Sequence, residues 1–182
     1  MFRFLRANAN QQKPDPGQNV AAGYPAQALP PGTPAPDFQL PGSDGESRAL
    51  RDMRGRPVIL AFYPADWSPV CGDQLALYND ALSLFEEHQA QLLGLSVDSL
   101  WSHRAYAESR QLRFPLLADF EPKGEVARLY GVYNPEQGTS RRALFVIDAQ
   151  GVILWSQVSS DDVNPRAHGI LLALENLSDG RR

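Results

Sequence analysis

The sequence predicts an α/β fold in which a central mixed sheet is flanked by helices. Residues 57–63 and 92–97 are short, continuous apolar runs, as expected for strands that are covered on both faces. A segment with helical periodicity follows each run, and strands that alternate with helices predict a layered α/β architecture. Further along, the turn signal DAQG separates two apolar runs and indicates an antiparallel hairpin. The predicted sheet therefore contains both parallel and antiparallel strands.

The first half of the chain is predicted to form a hairpin, a strand and a long helix. The turn-rich segment PGSDG separates residues 38–40 from residues 46–50 and predicts an N-terminal hairpin. After the strand at 57–63, a helix is predicted over residues 69–87 because apolar side chains recur on one face at steps of four and three. These side chains are Cys71, Leu75, Tyr78, Leu82 and Phe85.

The second half continues the alternation and ends in a helix. Ser99 and Asn164 are good N-cap residues, and Pro165 suits the first turn of a helix. The predicted elements are a strand at 92–97, a helix at 99–111, a strand at 114–118, a helix at 124–130, strands at 143–147 and 152–158, and a helix at 165–177. A helix after the first central strand, with a terminal hairpin and helix, is the element order of a thioredoxin-like fold.

The chain is predicted to divide into a tail and one domain. Its 182 residues are about the size of a single domain. Residues 1–30 show no sustained helical or strand pattern, and seven of the fifteen prolines precede Asp37. Because this composition buries too little apolar surface to offset the chain entropy, we expect a flexible N-terminal tail at 1–30. The compact domain is predicted to span residues 31–182.

Composition and charge argue against several classes of function. The net charge of −4 disfavours nucleic-acid partners, which select basic patches. No window approaches the roughly 18 consecutive apolar residues of a membrane span, so we expect no membrane partner and a cytoplasmic location. One cysteine excludes an internal disulfide, and His88, His103 and His168 do not match a ligand spacing. We therefore expect neither a metal site nor a cofactor.

The only cysteine lies in the segment PADWSPVC, where the first central strand gives way to a helix. Ser68 is placed to be the N-cap and Pro69 the first helical residue, so Cys71 becomes the third residue of the helix. Unpaired backbone N–H groups and the positive end of the helix dipole favour thiolate over thiol there. A thiolate is a nucleophile, so the position suits attack on an electrophile. The alternative is that Cys71 is inert and packs as a small apolar side chain.

The same segment resembles the signature Pro-x-x-x-Thr/Ser-x-x-Cys of the peroxiredoxins, which Pro64, Ser68 and Cys71 match. Four further blocks, APDFQL, GLSVDS, FPLLADF and RALFVIDAQGVI, resemble peroxiredoxin blocks in the same order. Together the blocks cover residues 32–177. The stretch FPLLADFEPKGEVARLYGVYN makes the chain most similar to the one-cysteine, alkyl hydroperoxide reductase E-type branch. The bacterioferritin comigratory protein type is the neighbouring branch.

The resemblance implies a role for five side chains. Cys71 would be the peroxidatic cysteine that attacks the O–O bond of a peroxide, and Pro64 would shield its thiolate and limit over-oxidation. The hydroxyl of Ser68 would hydrogen-bond the thiolate and the peroxide oxygen. Arg142 would stabilise the developing negative charge, since a guanidinium stays charged and presents several donors in a fixed fork. Gln74, one helical step from Cys71, stands where the family often has glutamate and would orient Arg142.

Alternatives stay open at three positions near the motif. Ser68 replaces the commoner threonine, so the hydroxyl is kept while the methyl group that restrains its rotamer is lost, and this hydroxyl could serve only as a helix cap. Arg141 competes with Arg142, but adjacent strand residues face opposite sides and the motif spacing favours Arg142. His103 is expected on a helix surface and not at the reacting thiol.

The function implied by the resemblance is a thiol-dependent peroxidase that reduces hydrogen peroxide and organic hydroperoxides through a sulfenic acid on Cys71. Because the chain offers no second thiol, an external thiol would recycle the enzyme, either a thioredoxin-like protein or a low-molecular-weight thiol. The family also implies a homodimer. The alternative function is a non-catalytic redox sensor that passes its oxidation to a partner protein. A structural module with an inert thiol is a third interpretation.

Overall fold

The computed structural model describes residues 24–179, with side chains as far as residue 177. Most of the tail predicted at residues 1–30 lies outside the described residues, so its flexibility stays a prediction. The end of that segment contacts the domain. The N–H of Leu29 donates to the carbonyl of Tyr130 (3.2 Å), and the hydroxyl of Ser156 donates to the carbonyl of Leu29 (3.0 Å). Leu29 therefore pairs with two residues of the predicted domain, and the division into a tail and a domain at residue 31 stays a prediction.

Nine strands, five α-helices and one short 3-10 helix are found within residues 24–179. In chain order they are β1 Gln39–Pro41, β2 Ser47–Ala49, the 3-10 helix Leu50–Met53, β3 Val58–Phe62, α1 Pro69–Asp80, α2 Leu82–Glu87, β4 Gln91–Ser96, α3 Leu100–Ser109, β5 Leu116–Ala118, α4 Glu125–Leu129, β6 Tyr133–Asn134, β7 Thr139–Ser140, β8 Arg142–Ile147, β9 Ile153–Ser159 and α5 His168–Asp179. Strands β1 and β2 form the predicted N-terminal hairpin. Ser99 caps α3 as predicted, and its hydroxyl accepts from the N–H of Ser102 (3.3 Å). None of the helices in this range is long and apolar enough to cross a membrane.

The central sheet has five strands in the order β5-β4-β3-β8-β9. Strands β3, β4 and β5 run parallel, whereas β8 is antiparallel to both β3 and β9. The predicted mixed sheet and the thioredoxin-like arrangement are confirmed. Because parallel strands start and end at shared edges, the loops that enter β3, β4 and β5 meet at one edge of the sheet. The segment that leaves β3 and begins α1 lies at the opposite edge.

The core is divided by the sheet into two clusters. Along β3, Ile59 and Ala61 pack in the cluster that contains Cys71, whereas Leu60 and Phe62 pack in the other cluster. This alternation is expected because successive strand residues face opposite sides. Other members of the Cys71 cluster come from the helices and include Leu75, Phe85, Tyr106 and Ile170. The apolar face predicted for the first helix is therefore buried against the sheet.

The helix predicted over residues 69–87 is two helices, so the predicted continuity was wrong. Ala81 separates α1 from α2, and the N–H of Leu84 reaches back only three residues, to the carbonyl of Ala81 (3.0 Å). This tighter turn redirects the chain while Leu82 and Phe85 stay buried. The apolar pattern continues across the break, which is why periodicity alone predicts a single helix.

The last helix begins later than predicted. A start at residue 165 with Asn164 as its cap was wrong, since α5 begins at His168. The side chain of Asn164 accepts from the N–H of Arg166 (3.0 Å), and Arg166 has a left-handed φ of 58°. An asparagine that bonds the backbone two residues ahead forms a turn that competes with the helix. This local turn delays the helix by three residues.

Candidate active site

Cys71 lies in the first turn of α1, at the edge of the sheet where β3 ends. Ser68 has the extended backbone of an N-cap residue (φ −69°, ψ 134°), and Pro69 is the first helical residue. The carbonyl of Ser68 accepts a helical hydrogen bond from the N–H of Gly72 (2.9 Å). Cys71 is thus the third residue of the helix, as predicted, and its side chain is 0% exposed. The first-turn N–H groups and the positive end of the helix dipole act on this thiol.

A buried guanidinium stands next to the thiol. Arg142, the first residue of β8, is fully buried, and its Nη2 lies 3.4 Å from Sγ of Cys71. The same Nη2 donates to the carbonyl of Asp161 (2.7 Å), while Nη1 donates to Oε1 of Gln74. Arg141 is exposed, so the strand turns only Arg142 toward Cys71. A permanent positive charge in contact with the sulfur stabilises negative charge on it.

The position of the guanidinium is set by hydrogen bonds that run through α1. Nε2 of Gln74 donates to the hydroxyl of Tyr78 (3.1 Å), which in turn donates to the carbonyl of Arg166 (3.3 Å). Burial raises the pKa of Tyr78 far above its ordinary value, so the hydroxyl keeps its proton and remains a donor. With its amide nitrogen held by Tyr78, Gln74 presents its amide oxygen to Arg142. The last acceptor in this series of hydrogen bonds is therefore the carbonyl of Arg166, in the turn that precedes α5.

Pro64 and Ser68 lie in the loop that joins β3 to α1, and both are half-buried. The hydroxyl of Ser68 makes no capping hydrogen bond, so the predicted cap holds for the backbone position only. Within the described part of the chain, no hydrogen bond joins this hydroxyl to Cys71. The structure thus connects three of the five predicted site residues directly, Cys71, Gln74 and Arg142, and places the other two in the adjoining loop.

His103 is fully buried, so the prediction of a surface histidine was wrong. Its Nδ1 lies 2.9 Å from Oδ2 of Asp66, and its Nε2 lies 3.2 Å from the carbonyl oxygen of Leu117 on β5. Both ring nitrogens therefore lie within hydrogen-bond distance of an oxygen atom of another residue. The sequence carries a signal for this burial, since His103 precedes Tyr106 by three residues and shares the buried face of α3 with it.

Asp66 lies in the loop that enters α1 and forms hydrogen bonds with residues from several surrounding elements. Its carboxylate accepts from the hydroxyls of Tyr63 (2.8 Å) and Ser102 (2.8 Å) and also faces His103. Its N–H donates to Oδ2 of Asp98 (2.9 Å). Burial, together with the nearby charge of Asp66, raises the pKa of Tyr63 well above its ordinary value, so this hydroxyl stays a donor. These five residues, which we call the Asp66 anchor, tie the loop to β3, α3 and the segment after β4.

Trp67 is the exposed residue of this loop. Its backbone has a left-handed φ of 64°, which is unusual for a bulky residue, and its side chain is 56% exposed. Nε1 donates to the hydroxyl of Ser102 (3.3 Å), and the ring packs edge-on against Tyr106 with 5.0 Å between centroids. Trp101 is 77% exposed on α3, with the guanidinium of Arg104 over its ring. Two large aromatic side chains therefore face solvent on the loop and on the helix that holds it.

Fold and site together define a class of protein. A thioredoxin-like sheet whose first long helix begins with a cysteine in contact with a buried arginine has the arrangement of a thiol-based redox protein. Within residues 24–179, no group of three or more His, Cys, Asp or Glu side chains is placed to hold a metal ion. The AhpC/TSA family model matches residues 31–156, and the chain belongs to this family.

Individual members of the family are similar to the chain over most of their length. It is 35% identical over 128 residues to alkyl hydroperoxide reductase E of Mycobacterium tuberculosis, covering 70% of this chain and 84% of that protein. It is 34% identical over 157 residues to thioredoxin peroxidase of Fasciola hepatica, covering 81% of this chain and 80% of that protein. The crystal structure of peroxidoxin BcpB from Mycobacterium tuberculosis matches with a TM-score of 0.74 at 31% identity, covering 82% of this chain and 98% of that one. The resemblance to peroxiredoxins is confirmed.

Proposed function

We propose that this protein is a one-cysteine, thiol-dependent peroxidase that reduces hydrogen peroxide and organic hydroperoxides at Cys71. One observation carries the proposal: the sulfur of the chain's only cysteine lies 3.4 Å from Nη2 of the fully buried Arg142. A charge-assisted donor at this place stabilises the thiolate and stays in position for the negative charge that develops during attack. Membership of the AhpC/TSA family supports the same chemistry.

The reaction begins when the thiolate of Cys71 attacks the terminal oxygen of the peroxide. An S–O bond forms and the O–O bond breaks, so Cys71 becomes a sulfenic acid and the leaving oxygen takes a proton to give water or an alcohol. Arg142 donates to the sulfur and to the oxygens on which charge develops. In this scheme the hydroxyl of Ser68 hydrogen-bonds the peroxide, and Pro64 shields the sulfur from a second oxidation.

The sulfenic acid is reduced by an external thiol because the chain holds no second cysteine. One thiol attacks the oxidised sulfur, water leaves, and a mixed disulfide forms. A second thiol then attacks the mixed disulfide and releases Cys71 as a thiol, so the two reducing thiols have donated two electrons and leave as a disulfide. The reductant in this proposal is a thioredoxin-like protein or a low-molecular-weight thiol, and one relative is named a thioredoxin peroxidase. The scheme needs no cofactor.

A homodimer is part of the same proposal. The exposed side chains of Trp67 and Trp101, next to the active-site loop, support it because aromatic residues are enriched where protein surfaces meet. The expected cytoplasmic location stays a prediction.

Oxidation with one equivalent of hydrogen peroxide tests the function. The purified protein should gain one oxygen atom on Cys71 by mass spectrometry, and it should turn over peroxide only when a reducing thiol is added. Cys71→Ser should do neither. A wild-type protein that consumes peroxide no faster than free cysteine would contradict the proposal. A single trapped protein partner, with no turnover on thioredoxin or on any small thiol, would make the protein a redox sensor instead.

Removing the amide of Gln74 should slow the oxidation of Cys71 about tenfold or more. Gln74→Met keeps the length of the side chain but leaves Nη1 of Arg142 without its acceptor, and a hydrogen bond to a charged group contributes about 1.5–3 kcal/mol. Stopped-flow measurement of the second-order rate constant with hydrogen peroxide provides the readout. Gln74→Glu restores an acceptor at the same place and should stay within about threefold of wild type. Equal rates for Gln74→Met and wild type would contradict the role of Gln74 in holding Arg142 at the active site.

A further inference from the structure

A cavity of about 740 Å³ lies at the edge of the sheet opposite Cys71. Arg54 and Arg56 precede β3, Gln91 begins β4 and Arg113 precedes β5, and all four residues line the cavity. Because these three strands are parallel, their entry loops meet at one edge, which brings arginines from distant parts of the chain together. The peroxidase scheme uses none of these residues.

The lining is strongly cationic although the chain is acidic. Arg48, from β2, is the fourth arginine in the lining, and Glu86 is its only carboxylate, which gives a net charge of +3 in a chain of net charge −4. Arg48 pairs with Asp44 (2.8 Å), which lowers the net charge of the site to +2. A concentration of positive charge in a concave site attracts anions from solution.

Three of the guanidiniums are not neutralised by a carboxylate. The ion pairs found within residues 24–179 do not include Arg54, Arg56 or Arg113. Each donates instead to a neutral oxygen. Arg113 donates to the carbonyl of Asn79 (2.5 Å), and Arg54 donates to the carbonyl of Gln150. Arg56 donates to the side-chain oxygen of Gln91 (3.0 Å) when the Gln91 amide is oriented with its oxygen toward Arg56. A guanidinium has five N–H donors, so each keeps free donors for a ligand.

We propose that this arginine cavity binds a small polyanion of the pyrophosphate class, either free polyphosphate or the phosphate chain of a nucleotide. Guanidinium forks match phosphate oxygens in a bidentate manner, and several of them offset several negative charges at once. The volume of the cavity falls in the range of about 300–1,000 Å³ that small-molecule sites occupy. Since the cavity and Cys71 lie at opposite edges of the sheet, bound polyanion stabilises the fold by mass action and leaves the peroxide reaction unchanged. The inference does not depend on the proposed peroxidase activity.

Isothermal titration calorimetry with inorganic pyrophosphate, at constant ionic strength, tests the proposal. Binding should saturate at one site per chain, and the midpoint of thermal unfolding should rise with pyrophosphate concentration. Arg56→Gln and Arg113→Gln should each weaken binding about tenfold, because one guanidinium contact to phosphate is lost. Glu86→Gln, which removes the carboxylate of the lining, should tighten binding.

Arg141→Gln is the matched control, because Arg141 and Arg113 are both exposed and only Arg113 lines the cavity. Its affinity for pyrophosphate should equal that of wild type. A parallel titration with ADP distinguishes the sources: equal affinities assign the site to the phosphates alone, and tighter ADP binding assigns it to a nucleotide. The proposal is overturned if no saturable binding of pyrophosphate occurs, or if Arg113→Gln and Arg141→Gln weaken binding equally.

Discussion

Replacing Arg142 with glutamine is expected to lower the rate constant for oxidation of Cys71 by hydrogen peroxide about 10²–10³-fold. The guanidinium reaches the sulfur at 3.4 Å from a fully buried position, so water cannot replace it when charge develops. Loss of one donor aimed at a developing charge costs about this factor in other enzymes. Stopped-flow kinetics at equal protein concentration measures the change. Arg142→Lys should lie between glutamine and wild type, because an ammonium keeps the charge but loses the planar fork.

The control for this prediction is the neighbouring arginine. Arg141→Gln removes the same charge from an exposed position and should react within about twofold of wild type, as surface substitutions usually have small effects. Because Arg142 also donates to Gln74 and Asp161, circular dichroism must show that the variants are folded. Folded Arg142→Gln and Arg142→Lys that both react at the wild-type rate would contradict the assigned role.

Replacing His103 with alanine is expected to lower the free energy of unfolding by about 3–5 kcal/mol. The substitution removes a hydrogen bond to the buried carboxylate of Asp66 and leaves a cavity in place of a fully buried ring, and these two losses together cost about that amount. For a domain of this size, each kcal/mol shifts the unfolding midpoint by about 2–4 °C, so the midpoint should fall by about 10 °C. Urea unfolding followed by circular dichroism measures the free energy.

A double-mutant cycle separates the pair from a general loss of packing. Asp66→Ala combined with His103→Ala should cost about 1–3 kcal/mol less than the sum of the single variants, because the two residues interact directly. His168→Ala, at an exposed histidine, should change stability by no more than about 0.5 kcal/mol. If His103→Ala were no less stable than His168→Ala, the Asp66 anchor would not hold the loop.

Local patterns predicted correctly those features that depend on one stretch of backbone. Ser68 and Pro69 start α1 at the predicted position, although the hydroxyl of Ser68 makes no capping hydrogen bond, because the fixed φ of a proline at the first helical position acts within one turn. The interruption at Ala81 escaped prediction because the apolar face continues through it. The late start of α5 escaped prediction because Asn164 has two local uses, a helix cap and a turn, and Arg166 in a left-handed conformation selects the turn.

The contacts within the active site are features that such local patterns do not predict. Arg142 and Gln74 were named through the family resemblance, and the structure then joins them at the thiol. His103 was misplaced because a helical pattern predicts which face is buried only once the surface that covers it is known. Asp66 was not assigned a partner at all, since His103 is 37 residues away along the chain.

The sequence by itself determined the mixed α/β sheet, the position of the only thiol at the start of a helix and, through its motif, the family. Each of these depends on interactions within a few residues or on a matched pattern. Tertiary structure alone decided which charged groups meet. It placed Arg142 against Cys71 across a separation of 71 residues, His103 against Asp66, and four arginines around one cavity. The physical reason is that parallel strands and packed helices bring side chains from distant parts of the chain to one edge or one face of the sheet. A local sequence pattern contains no information about which distant residues meet there.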